Sequence, residues 1–280
     1  MKSACDGKYK VLKRKCGSSI HWNRNYKERV LTQRANNLHH TGKRGTERMK
    51  PSQQTIRIFL VLAIFFFFAN CVKNGRNELP LLASYDFEGE KTEGWQPNVP
   101  ENWQVVEKDG SKVYELISPG KQGEIRAPTS WSILFEHDIT SFVFTGRLKC
   151  MTEASNPHRD MCLFFHFQDP SHFYYVHFSA SSDSAHNIIG LVNGADRVKI
   201  NSEPPGDSVF RLTDMDWHRF KVTYDAATGD IKGFLDNMDT PILTARDKTL
   251  THGHVGVGSF DDTGHFDDIA LWGKKKSPNP

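Results

Sequence analysis

The longest unbroken apolar run in this 280-residue chain is twelve residues, Ile58–Ala69. As a helix rising about 1.5 Å per residue it covers roughly 18 Å, well short of the roughly 30 Å hydrocarbon core, which argues against a stable membrane span. Phosphate-cradling glycine loops of the Walker or dinucleotide type are missing, as is any nucleic-acid module signature, so nucleotide-driven chemistry and base reading have no local support. No Gly-x-Ser-x-Gly elbow occurs, which removes the commonest serine-hydrolase signal. From Leu82 onward no helical period is visible and no internal repeat is evident. Cysteine is scarce, and of the five only Cys150 and Cys162 lie beyond position 82.

What the apolar run does resemble is the central region of an export signal. Read from Met49, the segment MKPSQQTIR places Lys50 and Arg57 ahead of it, and small or polar residues follow. The chain beyond Cys71 is therefore expected outside the cytoplasm, either secreted or held at the cell envelope. Residues Phe68-Ala69-Asn70-Cys71 resemble a bacterial lipobox, although Asn70 departs from the usual Gly or Ala. Lipidation of Cys71, anchoring the chain to a membrane, and ordinary cleavage near Ala69 both stay open. A domain plan follows: a basic extension at 1–48, the signal at 49–71, a linker at 72–82, a folded domain at 83–273 and a tail at 274–280.

Charge is unevenly spread. Residues 1–48 hold 13 Lys or Arg against the acids Asp6, Glu28 and Glu47, a balance of +10, so a whole-chain charge of +3 leaves −7 for residues 49–280. The extension reads as a basic nucleic-acid arm, as the cytoplasmic tail of an anchored protein, or as a disordered tail or spurious upstream sequence ahead of a true start at Met49. The last is preferred, because signals begin at the terminus. Without the extension the domain is mildly acidic, and a nucleic-acid partner is not expected.

Beyond Leu82 short β-branched and aromatic runs alternate with turn residues, the all-β pattern. Strands are expected at 82–87, 103–107, 112–116, 124–127, 142–150, 162–168, 173–179, 187–192, 197–200, 218–224, 230–235, 253–259 and 266–272. Asp109-Gly110, Asn193-Gly194 and Thr228-Gly229 are among the turns between them. So many strands in about 190 residues suit a two-sheet antiparallel β-sandwich.

The run from Phe164 to Phe178 reads as a hairpin turning at Asp169–His172. Simple pairing sets His166 opposite Tyr175 and Phe164 opposite His177. Alternation then puts Leu163, Phe165, Phe167, Tyr174, Val176 and Phe178 in the core, with Phe164, His166, Gln168, Phe173, Tyr175 and His177 on the other face. Arg147, on the preceding strand, aligns beside His166. Aromatic rings interleaved with hydrogen-bonding side chains suit sugar recognition, so Arg147, His166, Tyr175 and His177 are the candidate ligand-binding residues. The alternative is a solvated sheet face. Cys150 falls in the core phase and Cys162 in the opposite one, so a disulfide between them would need a bulge.

Several segments resemble the concanavalin A-like (laminin G-like) jelly roll, particularly bacterial keto-disaccharide hydrolase and family 16 glucanase-like domains. They are Ser84–Gly89 with Gly94-Trp95, the hairpin, Trp217–Val222, Gly229–Ile231 with Leu235–Asn237, and Gly253–Gly258 followed by Phe266–Ile269. The resemblance implies a jelly-roll sandwich over most of 83–273 and a structural calcium held by Asp86, Glu88 and Asp267, with Asp268 as an alternative. Hard oxygen donors are what calcium takes. The glucanase motif Glu-x-Asp-x-x-Glu has only a partial counterpart in Glu136–Ser141, which lacks the last acid and is expected ahead of a strand. His252 and His254 alternate and could chelate zinc with His265, though a loop with scattered histidines is the commoner explanation. The expected function is carbohydrate binding on a concave sheet face. Its rivals are a glycan hydrolase or lyase using Arg147, His166, Tyr175 and His177, and a surface adhesion or assembly module.

Overall fold

The computed structural model describes residues 79–202 and 211–277, which fall within one compact unit, residues 74–280. The basic extension, the signal and most of the linker lie outside the described residues. Among the described residues no helix is long and apolar enough to cross a membrane.

The domain is all-β. In chain order its strands are β1 (Leu81–Tyr85), β2 (Trp95–Pro97), β3 (Trp103–Lys108), β4 (Ser111–Leu116), β5 (Ser130–Cys150), β6 (Asp160–Asp169) and β7 (His172–Ser179). There follow β8 (Ile188–Asn193), β9 (Val198–Lys199), β10 (His218–Asp225), β11 (Asp230–Leu235), β12 (Leu243–Arg246), β13 (Gly253–Ser259) and β14 (Gly264–Lys275). Most match the expected strands within two residues. The exceptions are instructive. Segment 124–127 is irregular, β2 and β12 lack a sequence signal, and β5 is twenty-one residues long.

That length makes β5 the hinge of the architecture. Its first part, Ser130–Leu134, pairs antiparallel with β13 and β2. Its second part, Phe142–Cys150, pairs with β10 and β14. One layer therefore runs β2-β5-β13-β6-β7-β8-β9 and the other β12-β11-β10-β5-β14, with β1 and β4 on the far side of β14 and β3 outside β4. The product is a two-sheet antiparallel β-sandwich. The partial glucanase string, expected ahead of a strand, lies inside β5.

Between the layers sits the main core, in which Leu163, Phe165, Tyr174, Val176 and Phe178 of the first sheet meet Phe142, Phe144, Leu148, Phe220 and Val222 of the second. Phe142 and Phe165 touch across the gap, ring centres 5.7 Å apart. Alternation therefore predicts this face with one exception, Phe167.

The exception is a bulge. Phe165 pairs with Tyr174 and Asp169 with His172, so three residues of β6 oppose the single Phe173 of β7. His166 takes φ +45°, in the left-handed region. The expected pairs His166–Tyr175 and Phe164–His177 are replaced by Phe164–Tyr175 and Cys162–His177. Tertiary packing supports the irregularity. Gly253 of β13 (φ +147°) presses on the bulge so closely that a Cβ there would lie 2.5 Å from the His166 carbonyl carbon. The bulge swings Phe167 outward and His166 inward. No local pattern reports it.

The outer face of β6–β8 is not open. Cys162, Phe164, Phe167, Phe173, Tyr175, Ile188 and Val192 form a second apolar cluster with Ala127 and Phe260, and Ile125 packs against it. The irregular segment around 125–127 thus roofs a face that would otherwise be wet. Cys150 belongs to the first cluster and Cys162 to the second. Both are free thiols: the bulge lies beyond Cys162, which keeps its outward phase away from Cys150, and the disulfide is not formed.

Candidate functional site

The four residues expected to bind ligand do not share a surface. Arg147 lies in the second sheet, its Nη2 2.6 Å from Asp267 Oδ2 and its Nε 2.7 Å from Asp268 Oδ2, with the guanidinium 4.9 Å from the centre of the Trp217 ring. His166 is buried in the main core, its ring nitrogens 2.9 Å from the Leu250 carbonyl and 2.8 Å from that of Thr140. Burial holds His166 below the ordinary imidazole pKa, against the pull of those two carbonyls. Tyr175 lies on the outer face but is fully buried among Phe164, Phe173, His177 and Phe260. His177 lines a cleft. The expected general acid–base arrangement of Arg147, His166, Tyr175 and His177 is therefore not assembled.

The calcium set is likewise dispersed. Asp86 accepts from the Glu88 backbone N–H at 3.2 Å, while Glu88 accepts from Ser111 Oγ at 2.7 Å and Lys112 N–H at 3.0 Å. Asp267 is buried and tied to Arg147, and burial pushes its carboxyl above the usual range despite that partner. Among the described residues the three do not form a group close enough to hold one ion. His252, His254 and His265 also part company, pairing with Asp138, the His137 carbonyl and Glu115 respectively.

The opening that His177 reaches is a cleft of about 500 Å³ at one end of β6 and β7, lined by Gly120, Gln122, Arg126, Thr129, His158, Asp160, His177, His186, Arg197, Phe260 and Asp261. Five loops, β4–β5, β5–β6, β7–β8, β8–β9 and β13–β14, build it together with strands β6 and β7. The roof is fastened by the Arg126 N–H donating to Asp196 Oδ1 at 2.8 Å, the Arg197 N–H donating to the Arg126 carbonyl at 3.0 Å, and Thr129 Oγ1 donating to the Phe260 carbonyl. The Arg197 guanidinium lies 4.3 Å from the centre of the Phe260 ring. Asn187, at φ +51°, closes the β7–β8 loop with its amide: it accepts from Ser179 N–H at 2.9 Å and donates to the Ser179 and Ser181 carbonyls at 3.1 and 2.9 Å.

Asp160 is held firmly. Its Oδ1 accepts from Ser259 Oγ at 2.5 Å and from the Phe260 N–H at 3.0 Å, and its Oδ2 lies 3.1 Å from His177 Nε2. His177 Nδ1 is 3.0 Å from the Ala185 carbonyl, which can only accept and so orients the ring with Nε2 facing inward toward Asp160. His186 stands beside it, ring centres 5.6 Å apart, with its Nδ1 2.9 Å from Asp183, and His158 lies 5.0 Å beyond. These histidines are spread over residues 158–186, so only their density along the sequence hinted at convergence.

Beneath the cleft wall Asp262 accepts the Asp160 N–H at 2.5 Å. Burial, with the Asp160 charge adding to it, pushes the Asp262 carboxyl up to about 6. An acid with a raised folded pKa contributes stability below its unfolded pKa of about 3.9, and loses that contribution as pH rises through about 6. Asp262→Asn keeps an acceptor for the Asp160 N–H and removes the titration. The variant should therefore exceed wild type in stability by about 1–2 kcal/mol at pH 8 and match it at pH 4. Denaturant midpoints at the two pH values measure this, and an offset independent of pH would refute it.

No protein-family model and no curated protein matches this sequence. Among solved structures the chain is similar to the carbohydrate-binding module CBM66 from Bacillus subtilis, at 18% identity and TM-score 0.44, over 64% of this chain and 95% of that one. It is also similar to a protein of unknown function with a galectin-like fold from Bacillus subtilis, at 14% identity and TM-score 0.49, over 71% and 99%. A GH16 protein of the Bacteroides ovatus mixed-linkage glucan PUL, in complex with a product, matches at 9% identity and TM-score 0.45, over 68% and 98%.

Proposed function

We propose that this chain is an exported carbohydrate-binding β-sandwich that takes its glycan in the His177 cleft. The supporting observation is the alternation of donors and acceptors around that opening. Arg126, Arg197, Gln122 and His158 offer N–H groups, and Asp261 offers carboxylate oxygens. A sugar hydroxyl donates one hydrogen bond and accepts others, so neighbouring hydroxyls need both kinds of partner at close range. The volume of about 500 Å³ lies within the range of small-ligand sites. Export rests on the basic and apolar pattern at 49–71. The intact mass of the native protein distinguishes cleavage near Ala69 from an acyl group on Cys71.

The test is isothermal titration against a panel of neutral oligosaccharides. Arg197→Ala and Asp261→Ala should each weaken binding at least about tenfold, as expected for loss of a charge-assisted hydrogen bond. Failure of wild type to bind any member, or unchanged affinity in both variants, would defeat the proposal. A second reading, hydrolysis, is favoured by one geometric fact: Asp160, Asp261 and Asp262 bring carboxylate oxygens within 4.8 Å of one another at the cleft wall. Glycoside hydrolysis uses paired carboxylates. Reducing-sugar release by wild type but not by Asp261→Asn would establish it.

A further inference from the structure

Directly under the cleft, Asp160, Cys162 and His177 present a carboxylate oxygen, a thiol sulfur and an imidazole nitrogen, all within 4.8 Å of one another. All three side chains are buried, His177 to 1% exposure and Cys162 completely. His177 Nε2 is aimed into this group, 3.1 Å from Asp160 Oδ2, and no hydrogen bond satisfies it. A buried imidazole nitrogen that faces a carboxylate oxygen outside hydrogen-bond geometry is costly, and a cation shared by the two atoms relieves that cost. Its other nitrogen is committed to the Ala185 carbonyl, the backbone contact that usually orients a metal-binding histidine.

We infer that Asp160, Cys162 and His177 form a zinc-class transition-metal site whose remaining coordination position faces the cleft. Sulfur and imidazole donors suit Zn²⁺ and exclude calcium as the natural occupant. Zinc at about 2.0–2.3 Å from each donor sets tetrahedral ligand atoms about 3.3–3.8 Å apart, so closing the present spacing needs side-chain shifts of about 1 Å. Adjacent pairing of Cys162 with His177 across β6 and β7 places both donors on the same rigid ladder, and Asp160 stands two residues along the same strand and face. The ion enters from the cleft, which Asp160 and His177 line. On binding, the Cys162 S–H bond breaks, a sulfur–metal bond forms and the proton passes to solvent. This site is independent of the glycan reading, because uptake of the ion requires no sugar.

The experiment loads the full chain with Co²⁺ or Zn²⁺ in the absence of any oligosaccharide. The expected result is a thiolate-to-cobalt charge-transfer band in the near ultraviolet that survives Cys150→Ala and vanishes in Cys162→Ala. His177→Gln and Asp160→Asn should each weaken binding at least about tenfold. Should those variants fail to fold, a chain with Cys5→Ser, Cys16→Ser and Cys71→Ser keeps the inference testable, since X-ray absorption of its zinc form must show one sulfur at about 2.3 Å. Absence of the band, its persistence in Cys162→Ala, or zinc without sulfur neighbours would overturn the assignment. Loss of sugar binding with the cobalt band intact would defeat the glycan proposal alone.

Discussion

Arg159→Ala is expected to lower the stability of the domain by about 3–5 kcal/mol, one of the two largest effects anticipated here. Arg159 has no solvent exposure, and its guanidinium spans two parts of the fold. Nη2 donates to the Cys150 carbonyl at the end of β5 at 2.7 Å, and Nη1 donates to the Asp214 carbonyl in the segment before β10. Truncation removes this donor from the buried Cys150 carbonyl, cuts the tie to Asp214 and opens a cavity the size of a long side chain. The Arg159 carbonyl also accepts from Ser179 Oγ at 2.9 Å and the Ala180 N–H at 3.1 Å, so the start of β6 is clamped to the end of β7. Asp160 is the next residue. Loosening here therefore reaches the cleft through Asp160 and His177. Arg159→Lys retains the charge but loses the planar fork, and should cost less than alanine yet more than about 1 kcal/mol. Urea midpoints with an unchanged denaturant slope would measure both, and an alanine cost under about 1 kcal/mol would show that the guanidinium is not a structural tie.

Gly190→Val carries the second large effect, about 3 kcal/mol or more, because it overpacks a closed cluster. Gly190 lies directly across from Tyr175 on β8, and a Cβ there would fall 2.3 Å from two carbons of the Tyr175 ring. The ring has nowhere to go. It is enclosed by Phe164, Phe173, His177 and Phe260 within 6.5 Å, and Phe260 in turn carries Arg197. Displacing Tyr175 should consequently disturb the cleft as well as the fold. A double-mutant cycle isolates the cause: with Tyr175→Ala already present, Gly190→Val should cost at least about 1 kcal/mol less than it does alone. Strictly additive losses would mean that the glycine is required for some other reason.

The segments whose positions were legible in the sequence share one property, dependence on near neighbours only. Alternation along Leu163, Phe165, Tyr174, Val176 and Phe178 identifies the core face, because a strand turns successive side chains to opposite sides whatever lies beyond. Turn residues such as Asn193-Gly194 mark the strand ends for the same reason, with Gly194 at φ +72°. His177 was singled out and does reach the cleft. Its companions Asp160, His158, His186, Arg126 and Arg197 come from other strands and loops, and nothing along the chain joins them. Arg147 and His166 illustrate the converse error. Each sits in a strand of the expected type, yet Arg147 is spent on Asp267 and Asp268 and His166 is turned inward.

The sequence by itself determined an all-β domain, most of its strand positions, one face of its central hairpin and the opposite phasing of Cys150 and Cys162. Only the tertiary structure decided which face meets water. That outcome depends on a glycine in β13 pressing a bulge into β6, on a strand long enough to serve both layers, and on a roof from around residue 126 folding over Tyr175. The physical reason is range. Alternation is set by bonds between adjacent residues, whereas solvent exposure is set by whichever distant segment gains most by covering the surface.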